Sequence, residues 1–176
     1  MAITDPTAMG VRPRGHTKRR LLRLLIAATV VLGAVGLTAG PASAARNCTG
    51  PANSSLCLTI NGVGNGNFDV LVGIDVHMSL EEAQEYMGDP GDPFVVWIRG
   101  DDSGSLAEFL FTVPLINLGA SAEFGLSGDF DIVVPGSWLN EDNGQDEIRA
   151  QVFLIDTDTN TTTGTFVSGP IVGNWP

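Results

Sequence analysis

Two stretches of strict two-residue alternation constrain this chain more than anything else in it. From Phe68 to Met78, the residues Phe68, Val70, Val72, Ile74 and Val76 fall on one side, and Asp69, Leu71, Gly73, Asp75 and His77 on the other. From Ile148 to Ile155, Ile148, Ala150, Val152 and Leu154 alternate with Arg149, Gln151, Phe153 and Ile155. A strand turns successive side chains to opposite faces, whereas a helix would scatter these apolar residues around its surface. Both stretches therefore read as strands with one face in a core. In the second, the outward set becomes apolar at Phe153 and Ile155, which predicts cover on both faces at that end.

Shorter runs of the same character occupy Leu56–Ile60, Phe94–Arg99, Leu106–Val113, Phe130–Val134, Thr165–Ser168 and Ile171–Trp175, with a less distinct one around Ala122–Leu126. Turn signals separate them: the glycine-rich Gly62–Asn67, Gly100–Ser105, Ser127-Gly128, Pro135-Gly136 and Gly169-Pro170. Seven to nine short strands at this spacing predict an all-β fold, an antiparallel β-sandwich, with a barrel as the lesser alternative. One helix interrupts them. Ser79-Leu80-Glu81-Glu82 is a capping box, in which the Ser79 hydroxyl accepts from the Glu82 amide. Two acids in the first turn suit the helix dipole, and Gly88 with Pro90 ends the helix. Leu80, Ala83 and Met87 are expected to form its buried stripe, so that the helix caps the sandwich. Asn47–Ser55 reads as a polar loop.

The first 44 residues stand outside this pattern. Arg12, Arg14, Lys18, Arg19, Arg20 and Arg23 make a basic leader, Leu24–Ala39 is apolar, and Ala42-Ser43-Ala44 has the small-x-small form of a signal-peptidase site. Sixteen helical residues reach about 24 Å, less than a hydrocarbon core of about 30 Å. The expectation is a signal peptide over 1–44, cleaved near Ala44, and a single secreted domain over 45–176. Arg19-Arg20 leaves both the general and the twin-arginine export routes open.

Without the leader, three arginines (Arg46, Arg99 and Arg149) face nineteen carboxylates, a net charge of −16 with no lysine. Such a surface repels nucleic acid and anionic membranes, which excludes both as direct partners and leaves a cell-wall or extracellular ligand. Cys48 and Cys57 are the only cysteines, and in an exported chain they read as a disulfide.

Two acidic loops flank the second alternating stretch. One holds Asn140, Glu141, Asp142, Asp146 and Glu147; the other holds Asp156, Asp158 and Asn160. Calcium takes about six to eight oxygens, and alternate residues of a tight turn can point inward together, so Ca2+ is the cofactor these loops suggest. A strand of eight residues spans roughly 25 Å, so the two loops are separate candidates. The second loop departs from the EF-hand pattern, with Thr161 where that loop needs Gly and Val167 where it needs Glu. The competing expectation is plain turns, where Asp and Asn serve local hydrogen bonds. Trp97 and Trp138 are candidate ligand-binding residues, since an exposed indole stacks on sugars or peptides; the alternative for each is packing.

Catalytic signals are sparse. His77 is the one histidine of the expected domain, no G-x-S-x-G elbow is present, and no cysteine is left over. Paired carboxylates remain, which is how glycosides are hydrolysed. The expectation is a secreted acidic binding or structural module of the cell envelope or medium, with a small secreted hydrolase as the alternative.

Three segments carry a resemblance. Leu139-Asn140-Glu141-Asp142 with Asp146-Glu147-Ile148-x-Ala150, Val72-Gly73-Ile74-Asp75-Val76-x-Met78-Ser79, and Gly100-Asp101-Asp102 resemble small uncharacterised secreted β-rich proteins of high-GC Gram-positive bacteria. The resemblance implies export and a β-rich fold, and it carries no catalytic residue.

Overall fold

The computed structural model describes residues 44–50, 54–102, 105–141 and 144–176; the expected leader lies outside them. The described residues form two antiparallel sheets and one α-helix, an all-β sandwich. The first sheet runs β1 (Ala45–Thr49), β2 (Ser54–Gly64), β3 (Asn67–Val76), β7 (Gly125–Pro135), β6 (Leu115–Ser121) in spatial order. The second runs β10 (Ile171–Gly173), β8 (Asp146–Asp156), β4 (Phe94–Asp102), β5 (Ser105–Val113). A further strand, β9 (Thr161–Val167), pairs with the far half of β8, on the edge that β10 occupies near its start.

The two alternating stretches sit at the centres of their sheets. β3 lies between β2 and β7, and β8 between β4 and the β9–β10 edge. Their inward residues are Val70, Val72 and Ile74 on β3, and Ile148, Ala150, Val152 and Leu154 on β8, all buried. Leu58, Ile60, Val96, Ile98 and Phe130 complete the layer between the sheets, with Phe94 edge-on to Phe130 at 6.1 Å. Burying each such side chain contributes about 1.5–3 kcal/mol, and this layer is the main force holding the sheets together.

The β2–β3 hairpin turns on Asn65-Gly66, both at positive φ (54° and 72°). A two-residue turn with that handedness matches the right-handed twist of the flanking strands, and Asn-Gly is the pair that adopts it at least cost. At the other end of the chain, Trp175 is buried and meets Phe68 edge-on at 5.2 Å, closing one end of the core.

Four sequence expectations need correction. Ten strands are present among the described residues, against seven to nine expected. Part of the expected Asn47–Ser55 loop is strand: β1 covers Ala45–Thr49 and β2 begins at Ser54. The disulfide Cys48–Cys57 joins directly opposed residues of this pair, so the bond clips an edge strand to its neighbour. Leu115–Ser121 is a strand, while Ala122–Phe124 is the turn that follows; the Phe124 amide donates to the Ser121 hydroxyl at 3.0 Å, and Gly125 stands at φ 77°. Alternation in LINLGAS is faint because β6 is a half-exposed sheet edge.

The helix α1 (Leu80–Gly88) begins where expected, with the Glu82 amide donating to the Ser79 hydroxyl at 3.1 Å. Its buried stripe is narrower than Leu80, Ala83 and Met87. Only Ala83 is buried, whereas Leu80 and Met87 are 38% and 43% exposed. The helix rests on a small residue and on Tyr86, whose hydroxyl pairs with that of Thr163 on β9 at 3.1 Å.

Candidate functional site

β5 is the outer strand of its sheet, and it carries an irregularity that shapes the surface beside it. Ile98 of β4 faces Phe111, while the next residue, Arg99, faces Phe109, so Leu110 is one residue too many. Such a bulge re-aims side chains. Phe111 turns inward and is 7% exposed; Phe109 turns outward and is 50% exposed. Without the bulge, residues two apart would share a face.

Opposite this strand, Pro135 ends β7 and the chain makes one 3-10 turn, Gly136–Trp138. The turn is fixed at both ends. The Gly136 amide donates to the Gly66 carbonyl at 2.8 Å, and Leu139, immediately after Trp138, is fully buried. Trp138 is thereby held outward, 50% exposed, with its ring tilted against Phe111 at 5.7 Å.

Between these elements lies a cleft of about 710 Å³, lined by Glu108, Phe109, Phe111, Trp138, Asn140 and Glu141, with Leu110, Thr112, Ile132 and Ser137. That volume falls within the range of small-molecule sites. Among the described residues that line it there is no arginine, lysine or histidine. The Glu141 carboxylate occupies the space that a side chain at position 100 would fill, so Gly100 on β4 is its seat. The Glu141 amide donates to Asp146 Oδ1 at 3.1 Å, and Asn140 Nδ2 donates to the Trp175 carbonyl at 3.0 Å. Asn140, Glu141 and Asp146 are therefore each tied by a polar contact.

The candidate metal ligands fall at the two ends of β8, as the strand's length required. Near its start, Asp146 is buried with one oxygen on the Glu141 amide, Asn140 is exposed, and Glu147 lies on the opposite face from Asp146. Asp142 lies outside the described residues. At the far end, Asp156 Oδ1 accepts from the Thr159 amide at 3.1 Å, Asp158 is exposed, and Asn160 takes a turn conformation at φ 52°. Asp156 and Asp158 do meet other acids, which sequence reasoning had not brought together. With Glu82, Glu85 and Tyr86 of the helix, Asp89 at its C-cap, and Thr159 they line a recess of about 250 Å³. Partial desolvation pushes the Asp89 carboxyl above its ordinary range, and the charges of Asp158 and Asp156 add to this. The carboxylates are spread along the recess: among the described residues no three His, Cys, Asp or Glu side chains gather as a metal-holding group.

Trp97 faces outward from the second sheet, opposite Phe94, Val96 and Ile98, as the alternation predicts. It is not an open platform. Phe153 packs edge-on to it at 4.7 Å and Phe109 at 5.6 Å, and the Arg99 guanidinium lies 5.7 Å from its ring centre. Arg99 and Arg149 are directly opposed on β4 and β8. Like charges in that position repel; Arg149 forms an ion pair with the buried Asp101, and Arg99 lies beside the indole face. Of the two candidate tryptophans, only Trp138 lines the large cleft.

The chain matches no protein-family model, no curated protein and no solved structure.

Sequence reasoning marked Trp138 and the acidic loop after it, and it missed Glu108, Phe109 and Phe111. Their sequence signal is three large or charged residues in four positions of a strand. The bulge that sends Phe109 and Phe111 to different faces leaves no mark in the sequence.

Proposed function

We propose that this chain is an exported binding module and that the cleft between β5 and the Trp138 turn is its ligand site. One observation carries this reading: two half-exposed aromatic rings, Trp138 and Phe109, stand at a cleft of about 710 Å³ whose remaining walls offer carboxylate, amide and hydroxyl groups. Exposing an indole to water forgoes burial that a packed indole would gain, and aromatic residues so placed are the anchors by which surfaces hold ligands. Both supports of the cleft are rigid: a paired strand on one side, and on the other a turn pinned by Leu139 and the Gly66 carbonyl.

A second reading has one observation in its favour. Glu108 and Glu141 line the same cleft, and paired carboxylates hydrolyse glycosides. Glu108, however, stands exposed on an edge strand, without the apolar enclosure that lets a carboxyl act as general acid. Binding is the better account.

The test is a titration of intrinsic tryptophan fluorescence with a panel of small extracellular ligands, run beside a reducing-end assay on glucan oligosaccharides. A saturable change lost in Trp138→Leu, with no release of reducing ends, supports the module. Turnover abolished by Glu108→Gln or Glu141→Gln would replace it with the hydrolase.

A further inference from the structure

The lining of the cleft also says what class of ligand it suits. We infer that the cleft between β5 and Trp138 takes an organic cation, an alkylammonium group seated on the Trp138 ring and paired with Glu108. This rests on the cleft being the ligand site, and it goes further by naming the chemistry.

Three observations converge on a cation. The first is the ring geometry. Trp138 is half exposed and Phe111 supports it from one side, tilted by 49°, so part of the indole face is free for a ligand. The face of an indole is the negative end of its quadrupole, and tryptophan is the strongest of the aromatic side chains at holding a cation.

The second is the charge of the lining. Glu108 and Glu141 contribute carboxylates, and none of the described residues lining the cleft is cationic. An anionic ligand would find nothing to pair with and would meet repulsion. Glu141 is held in place, its carboxylate over Gly100 and its amide on Asp146. Glu108 is exposed on β5 and can swing towards an incoming group.

The third is the field of the whole domain. With −16 charges over residues 45–176, the long-range potential draws cations towards the surface, and a low-dielectric cleft concentrates that potential. The indole then selects organic cations over bare metal ions, since it offers no oxygen ligands. Arg99 lies over Trp97 and is not among the residues that line the cleft.

An alkylammonium can come from a lysine side chain in a peptide or from a quaternary head group such as choline. The test separates these from each other and from neutral ligands. Residues 45–176 are titrated, with tryptophan fluorescence as readout, with N-acetyl-lysine methylamide, its neutral counterpart N-acetyl-norleucine methylamide, choline and a neutral glucan oligosaccharide. The expected result is saturable binding of the lysine derivative or of choline, with the norleucine derivative and the glucan at least about tenfold weaker. Trp138→Leu should weaken the cation by about tenfold, and Trp138→Phe should fall between the two. Glu108→Gln should weaken it about threefold, and that loss should shrink as salt is raised. Both substituted residues are exposed, so the variants should fold, which far-UV circular dichroism checks. Preference for the glucan, unmoved by Glu108→Gln or by salt, overturns the cation and leaves the ligand site standing. No saturable response to any of the four ligands overturns both.

Discussion

At the scale of single residues, the outer face of the first sheet holds one carboxyl group where burial disfavours its charge. Asp69 on β3 stands diagonal to Asp131 on β7. Burial holds the Asp69 carboxyl above its ordinary value of 3.8, and the Asp131 hydrogen bond and charge push it the same way, against a smaller opposite pull from Asn61. A folded value above the unfolded one means that the native state binds the proton more tightly. The contribution of Asp69 is therefore fully present below pH 3.8 and is lost as pH rises through the folded value. Asp69→Asn should raise the melting temperature at pH 7, with the difference from the parent closing towards pH 3; an equal shift at both pH values would contradict a raised Asp69 carboxyl. On the second sheet the opposite holds for Arg149, which neutralises the buried Asp101. Arg149→Ala leaves that carboxylate buried without its counter-charge and should cost about 3 kcal/mol in urea denaturation. Neither pair is readable in sequence: Asp69 and Asp131 are 62 positions apart and meet only through the β3–β7 register, which pairs Leu71 with Asp131.

At the scale of elements, the parts that sequence made legible are those whose local chemistry and burial agree. β3 and β8 alternate cleanly because each is central in its sheet with one face in the core. The helix start was legible because the Ser79 cap is a local interaction; Ser79→Ala should cost about 1 kcal/mol, read from the urea midpoint. β1 and β6 were not legible. Both are sheet edges, and an edge strand needs neither a continuous apolar face nor strong strand formers. β1 is held by pairing and by the covalent bond from Cys48 to Cys57, nine positions on. Replacing both cysteines by alanine should cost about 2.5 kcal/mol in the loop-entropy account. The amides of β1 should then exchange with solvent faster than those of β3, and equal protection in the two strands would show that the bond does not hold the edge. The candidate site was half legible for the same reason. Trp138 and its acidic loop stand out in the sequence, while the β5 wall depends on a bulge that only the paired sheet reveals.

At the scale of the whole molecule, charge and cleft belong to one picture. An excess of −16 over residues 45–176 opposes compaction, and salt shortens its reach from about 30 Å at 0.01 M to about 8 Å at 0.15 M. The melting temperature should rise across that interval, and a flat response would mean that the acidic surface is already neutralised by bound cations. On the proposed reading, the same excess draws cations towards the Trp138 cleft, whose walls present aromatic rings and carboxylates together. The chain's three tryptophans allow that claim to be tested by position. Trp97 is enclosed by Phe109 and Phe153, Trp175 is buried in the core, and Trp138 lines the cleft. In a 1H–15N correlation spectrum each indole N–H gives one peak, assigned by Trp→Phe variants. Titration with N-acetyl-lysine methylamide should move the Trp138 indole peak to saturation while the Trp175 peak stays in place. Movement centred on Trp97 or Trp175, or a still Trp138 at ligand concentrations that shift other peaks, would contradict the placement of the site.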